Sequence, residues 1–224
     1  MFYLSQLALN LRSAQVRSEL RDPYQMHRTL AHGFDHLGDR YQNARVLFRV
    51  DDDCGDTFVI VQSQLQPNWS GLRAREGYLR SPAKVKELDF TPAAGESFRF
   101  RLQANPTRQE GTGKNRKGIY IEWDRLDWLN RKARYHGFAL ETKEHTIRKK
   151  ESEEEFVMDL PLVRTVDLND GQRFAMPGQG AQFSAVRFDG TLTVTDSEKF
   201  GHALHNGIGK ARAFGFGLLS LARP

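Results

Sequence analysis

Three side chains suited to acid–base chemistry and phosphate binding share one face of a predicted helix near the start of the chain. Tyr24, His27 and Arg28 follow i, i+3, i+4 spacing, which presents a phenol, an imidazole and a guanidinium together. Histidine has a pKa suited to proton transfer near neutrality, and arginine suits phosphate oxygens. Such a site could cut RNA without a metal ion, because RNA carries its own nucleophile, the 2′-hydroxyl. The alternative is that His27 is a surface or helix-capping residue.

A second candidate for binding phosphate is the C-terminal segment 207–221. Four glycines lie within eleven residues, with Lys210 and Arg212 among them, and an apolar run follows. Backbone amides at Gly207 and Gly209, beside two cations, would suit a phosphate backbone. A P-loop and a dinucleotide-binding fingerprint are excluded, because leucine and arginine occupy positions that those motifs reserve for glycine. The alternative is a glycine-rich turn that caps the preceding helix.

Positive charge is concentrated in the middle of the chain. Residues 99–150 carry 14 Lys and Arg against 6 Asp and Glu, whereas residues 1–98 carry 12 of each and residues 151–224 carry 7 against 10. A localised basic excess is typical of a surface that binds nucleic acid. The alternative is a solvated basic face without a partner.

Composition also excludes several classes of protein. No apolar run approaches the ~20 residues that span a membrane, and the N-terminus does not resemble a secretory signal. A single cysteine, Cys54, excludes an intrachain disulfide and fits a reducing cytoplasm. The histidine pairs His32/His36 and His202/His205 lack a further ligand to complete a metal site, so we expect no metal and no cofactor.

The strands and helices predicted to position these residues occur in two similar sets along the chain. The first has strands at 2–9, 44–50, 57–64 and 84–90, with a helix that Asp22 caps and Pro23 begins. The second has strands at 97–104, 138–148, 181–195 and 216–221, with helices at 123–135 and 196–206. This order predicts an α+β fold of two tandem ferredoxin-like domains, residues 1–93 and 97–224.

Several motifs, in order along nearly the whole chain, resemble the CasE-type CRISPR-associated endoribonucleases, the crRNA-processing subunits of type I-E Cascade. They are Tyr3-Leu4-Ser5, Asp22-Pro23-Tyr24-Gln25-Met26-His27-Arg28, Val61-Gln62-Ser63 before Pro67 and Trp69, Phe100-Arg101-Leu102-Gln103-Ala104-Asn105-Pro106, Trp128-Leu129-Asn130-Arg131-Lys132-Ala133, Phe188-Asp189-Gly190-Thr191-Leu192 and the segment 207–221.

The resemblance implies an enzyme that binds the CRISPR repeat hairpin and cleaves precursor crRNA at the 3′ base of the hairpin. It implies no metal, a 5′-hydroxyl and a 2′,3′-cyclic phosphate as product ends, and other Cascade subunits as partners. His27 and Tyr24 take the family's catalytic positions, and the glycine-rich loop falls on 207–217.

The resemblance also implies a basic β-hairpin that enters the major groove of the RNA. The cations assigned to it are Lys143, Arg148, Lys149 and Lys150, and the rival location is the segment 101–117, which includes Arg101. The acidic run 151–155 beside the first location leaves its boundaries open.

Two other functions remain open at this point. The first is an RNA-binding subunit that retains crRNA without cutting it. The second is a protein–protein scaffold, which the basic middle segment disfavours.

Overall fold

The structure, a computed structural model, describes residues 1–53, 55–110, 116–148, 155–168 and 183–224, and it divides them into two compact units. The first comprises Met1–Thr91, Gln103–Asn105 and Gly201–Leu219. The second comprises Pro92–Leu102, Pro106–Phe200 and Ser220–Pro224. The domain boundaries inferred from the sequence, 1–93 and 97–224, stay a prediction. Cys54 lies outside the described residues.

The first unit is built on a four-stranded antiparallel sheet. Its strands are β1 (Phe2–Ala8), β2 (Leu47–Asp53), β3 (Asp56–Ser63) and β4 (Lys84–Leu88), in the spatial order β2-β3-β1-β4. Helices α1 (Ala14–Arg21) and α2 (Pro23–Ala31) and a 3₁₀ helix (His32–Ala44) connect β1 to β2, and α3 (Ser70–Ala74) lies between β3 and β4. This is the βαββαβ order of a ferredoxin-like fold.

Helix α2 begins where the sequence predicts. The Asp22 carboxylate accepts hydrogen bonds from the backbone amides of Tyr24 and Gln25, at 3.1 and 3.3 Å, and Pro23 occupies the first turn. Such a cap satisfies amides that have no partner within the helix, and proline needs no partner there. The helix that carries the candidate catalytic residues therefore starts at a defined point.

One face of α2 is buried in the core of the first unit. Met26 and Leu30 are 1% and 0% exposed, and they pack in one cluster with Leu7 of β1, Val61 of β3 and Trp69. This burial fixes the helix against the sheet. The neighbouring face carries the candidate catalytic side chains, Tyr24 and His27, at the border of this core.

The rest of the chain contains nine strands and two helices within the described residues. They are β5 (Ser97–Ala104), β6 (Thr107–Gln109), β7 (Arg116–Gly118), α4 (Glu122–Tyr135), β8 (Phe138–Leu140), β9 (Thr142–Arg148), β10 (Glu155–Pro161), β11 (Val163–Asp167), β12 (Val186–Val194), α5 (Ser197–Asn206) and β13 (Leu219–Ala222). A short 3₁₀ helix, Arg212–Phe214, lies between α5 and β13.

The second sheet repeats the topology of the first. Its order is β11-β12-β5-β13, and β8 also pairs with β12. Helix α4 follows β5 and helix α5 follows β12, so the βαββαβ order recurs with insertions. The predicted fold class, α+β with two tandem ferredoxin-like domains, is confirmed. No helix within the described ranges is long and apolar enough to cross a membrane.

The predicted strand at 216–221 is only partly correct, because β13 starts at Leu219. Phe216 and Leu218 are buried, at 2% and 1% exposure, but they belong to an irregular segment. Gly215 and Gly217 adopt φ of +81° and +94°, which a strand does not use. The apolar run is thus a core segment that becomes a strand only at its end.

Candidate active site

Four aromatic rings of the first unit form a row that includes both candidate catalytic residues. The His27 ring is stacked on Phe48 of β2, with ring centroids 6.2 Å apart and planes at 16°. On the other side, Tyr24 lies 6.4 Å from His27 and stacks on Phe214 at 5.8 Å. Such contacts restrict ring orientation. The row therefore fixes the imidazole between helix α2, strand β2 and the C-terminal loop.

The environment of His27 favours a neutral imidazole. The side chain is partly buried, and its Nδ1 atom is buried without a hydrogen-bond partner among the described residues. Burial lowers the pKa of His27, because the charged ring loses hydration. A neutral imidazole at neutral pH can accept a proton. Since Nδ1 is enclosed, Nε2 is the nitrogen that could exchange a proton with a ligand.

The C-terminal segment is attached to the first unit by three hydrogen bonds to backbone carbonyls. Arg49 donates to the Leu218 carbonyl at 3.5 Å, and Gln62 donates to the Leu204 carbonyl at 2.5 Å. The Gly217 amide donates to the Gln103 carbonyl at 2.8 Å. These bonds fix both ends of the glycine-rich loop, so Phe214 is held at the aromatic row.

The Arg49 side chain, which makes one of these bonds, is itself fixed. It is 4% exposed and forms two hydrogen bonds to the Asp51 carboxylate, at 2.8 and 2.7 Å. A paired guanidinium tolerates burial, whereas an isolated one does not. Asp51 lies in β2, one residue beyond the strand at 44–50 that the sequence predicts.

The glycines of the loop do not all have the same role. Gly207 has φ of +73°, and a Cβ there would lie 2.9 Å from the Gly217 carbonyl oxygen and 3.0 Å from the Leu47 side chain. Its amide donates to the Ala203 carbonyl at 2.8 Å. The Gly207 amide therefore closes the C-terminal end of helix α5, which is the helix-cap alternative considered for this segment, and it is not available to a phosphate. Gly209, with φ of +91°, is only half-buried.

Three cations of the first unit are exposed near these elements. Lys210 and Arg212 lie in the loop, and Arg28 lies on α2, where it donates to Gln25 at 3.4 Å. None of them forms an ion pair with a carboxylate in the described part of the chain. Their charge is thus available to an anionic ligand.

The second unit holds the other cations assigned to RNA binding. Arg101 pairs with Asp189 at 2.6 Å, while Lys143 is exposed on β9. Strand β9, which ends at Arg148, pairs with β10 in a two-stranded antiparallel sheet. Lys149, Lys150 and residues 151–154 of the acidic run lie outside the described residues. The assignment of these cations to RNA stays a prediction.

Two of the histidines considered for a metal site have protein partners. His32 Nδ1 lies 3.0 Å from the Asp35 carboxylate, and His205 Nδ1 lies 2.7 Å from the Gly201 carbonyl oxygen. Within the described ranges, no group of three His, Cys, Asp or Glu side chains is placed to hold a metal ion.

Comparison with known proteins gives a consistent result over the whole chain. The family model described as CRISPR associated protein matches residues 2–223. The chain belongs to this family. It is 32% identical to the CRISPR-associated endoribonuclease Cse3 of Thermus thermophilus, over 98% of this chain and 99% of that protein. It is 27% identical to the CRISPR system Cascade subunit CasE of Escherichia coli, over 92% of this chain and 95% of that one.

A solved structure of Thermus thermophilus Cse3, bound to an RNA representing a pre-cleavage complex, also matches this CRISPR-associated chain. The TM-score is 0.76 at 30% identity, and the match covers 99% of this chain and 98% of that one. The resemblance to the CasE-type endoribonucleases inferred from the sequence motifs is confirmed.

Sequence reasoning missed several residues of the site in this CRISPR-associated protein. Phe48 and Phe214 complete the aromatic row, and Arg49 anchors the loop. From the sequence, Phe48 is indistinguishable from an ordinary core residue of a strand, and Phe214 from a residue of a glycine-rich turn. Only the long-range packing brings them to His27.

Proposed function

We propose that this chain is a metal-independent endoribonuclease that binds the CRISPR repeat hairpin and cleaves precursor crRNA at the 3′ base of the hairpin. The observation that carries the proposal is the partly buried His27, held between Phe48 and Tyr24 beside a loop with unpaired cations. A family whose relatives are named as an endoribonuclease and as a Cascade subunit supports the same function.

The chemistry follows from what the site can do to a phosphodiester. Neutral His27 accepts the proton of the 2′-hydroxyl through Nε2, and the 2′ oxygen attacks the adjacent phosphorus. The bond to the 5′ oxygen breaks, and that oxygen takes up a proton. The products are a 2′,3′-cyclic phosphate and a 5′-hydroxyl. Tyr24 positions the imidazole or the substrate, and nearby cations oppose the charge that develops on the phosphate.

The remaining assignments concern binding and location. We propose that Arg28, Gly209, Lys210 and Arg212 contact the RNA backbone, and that the cations of the second unit, Arg101, Lys143, Arg148, Lys149 and Lys150, bind the hairpin. The partners are the crRNA and the other Cascade subunits. The single cysteine fits action in the reducing cytoplasm.

A cleavage assay on a gel tests this function. The protein is incubated in excess with the cognate repeat hairpin, with and without EDTA, and a hairpin of the same length but unrelated sequence is the control. We expect cleavage of the cognate hairpin in both conditions. Binding without cleavage would support a subunit that only retains crRNA. A protein that neither binds nor cleaves the hairpin would favour the scaffold function.

The pH dependence of cleavage reports the role of His27. Burial lowers its pKa below the ordinary value of about 6.5, so a general base keeps its active neutral form down to that lower pKa. We expect the single-turnover rate to fall as the pH drops through the lowered pKa and to be level near neutrality. A rate that instead falls as the pH rises through the same range would show that the protonated ring is the active form.

A further inference from the structure

One arginine near the aromatic row has no role in the function derived so far. Arg45 follows the 3₁₀ helix His32–Ala44, and its backbone is left-handed, with φ of +47°. Its side chain is exposed. Among the described residues other than glycine, only Ala211 shares a positive φ, +64°, and Ala211 directly precedes Arg212. Such backbone is uncommon outside glycine and concentrates at functional sites.

The packing of the first unit brings these two arginines to the same place. Strand β2 contacts the short 3₁₀ helix that Arg212 begins. Leu47 and Phe48, at the start of β2, lie 3.0 and 3.2 Å from the positions that a Cβ would take on Gly207 and Gly215 of the loop. Arg45 is two residues ahead of Leu47, so its backbone lies close to this contact between β2 and the loop.

The charges of the two side chains are close enough to affect each other. Partial desolvation, and then the charge of Arg45, lowers the pKa of the largely exposed Arg212. Neither arginine forms an ion pair with a carboxylate in the described part of the chain. Two like charges held together without an acid repel each other, and an anion bound between them relieves that repulsion. The arrangement is therefore suited to an anion that accepts hydrogen bonds from both guanidinium groups.

We propose that Arg45 and Arg212 together bind one phosphate of the RNA backbone beside the His27–Tyr24 pair. This inference rests on the proposed function, since it assumes an RNA substrate. A phosphodiester presents two non-bridging oxygens, one for each arginine. The row favours RNA over an acidic peptide, because an exposed aromatic side chain beside cations, here Tyr24 at 41% exposure, is typical of surfaces that bind RNA.

A double-mutant cycle tests whether the two arginines share one phosphate. The affinity for the repeat hairpin, made uncleavable by a 2′-deoxy nucleotide at the cleavage position, is measured for Arg45→Ala, Arg212→Ala and the double variant. We expect each single change to weaken binding by about tenfold. We expect the double variant to weaken it by much less than a hundredfold, because removing either arginine already disrupts the shared contact.

The matched control is Arg73→Ala, since Arg73 is an exposed arginine of the first unit outside this cluster. The melting temperatures of all variants show whether they are folded. Arg45→Lys keeps the positive charge, so its affinity shows whether charge alone is sufficient for binding. Either of two results would overturn the shared phosphate. One is that Arg45→Ala binds the hairpin as tightly as Arg73→Ala does. The other is that the losses of affinity in the two single variants multiply in the double variant. Failure of the wild-type protein to bind the hairpin would instead contradict the proposed function.

Discussion

Replacing His27 with alanine should reduce the single-turnover cleavage rate of the repeat hairpin by about 10²–10⁴-fold, the usual contribution of a general acid–base residue. The imidazole is the group in the aromatic row whose lowered pKa lets it accept a proton at neutral pH. The affinity for an uncleavable hairpin should change little, because contacts elsewhere hold the RNA. Rate and affinity are measured separately, on cleavable and 2′-deoxy substrates.

The matched control for this experiment is His36→Ala, because His36 is an exposed histidine outside the row. It should cleave at the wild-type rate. A near-normal rate for His27→Ala would contradict the assignment of His27 as the proton acceptor. A greatly lowered melting temperature would show instead that His27 is needed mainly for packing against Phe48.

A 2′-deoxy nucleotide on the 5′ side of the scissile phosphate should stop cleavage altogether. The change removes the nucleophile and leaves the phosphate, the hairpin and every protein contact in place. The control is the same substitution one nucleotide away, which should leave the rate close to that of the unmodified RNA. The measurement is product formation under single-turnover conditions, in the presence of excess EDTA.

Continued cleavage of the deoxy substrate would mean that an activated water attacks the phosphorus. In that case His27 would have a different role, and the lowered pKa would describe a base that acts on water. Loss of cleavage in EDTA with the unmodified RNA would show that a metal ion takes part.

The start of α2 could be predicted from the sequence because its determinants are local. Asp22 and Pro23 are adjacent to the helix that they begin, and Met26 and Leu30 mark its buried face by spacing alone. The two ferredoxin-like topologies follow from the order of strands and helices for the same reason. Tyr24 and His27 could be grouped as candidates from the sequence because they share one helix.

The rest of the site depends on contacts between residues far apart in the chain. Phe214 stacks on Tyr24 in a C-terminal segment that Arg49 and Gln62 of the first sheet hold by hydrogen bonds. The sequence left two roles open for Gly207, a phosphate-binding amide and a helix cap, and only the structure shows that its amide bonds to the Ala203 carbonyl at the end of α5. The spacing of glycines in the sequence does not distinguish a glycine that caps a helix from one whose amide binds phosphate.

The chemical identity of the new RNA ends tests the central claim most directly. The fragments released from the cognate hairpin are analysed by mass spectrometry under single-turnover conditions. Attack by the 2′-hydroxyl, with His27 as the base, predicts a 2′,3′-cyclic phosphate on the upstream fragment and a 5′-hydroxyl on the downstream one. A 3′-hydroxyl paired with a 5′-phosphate would contradict the account, because those ends require attack by water.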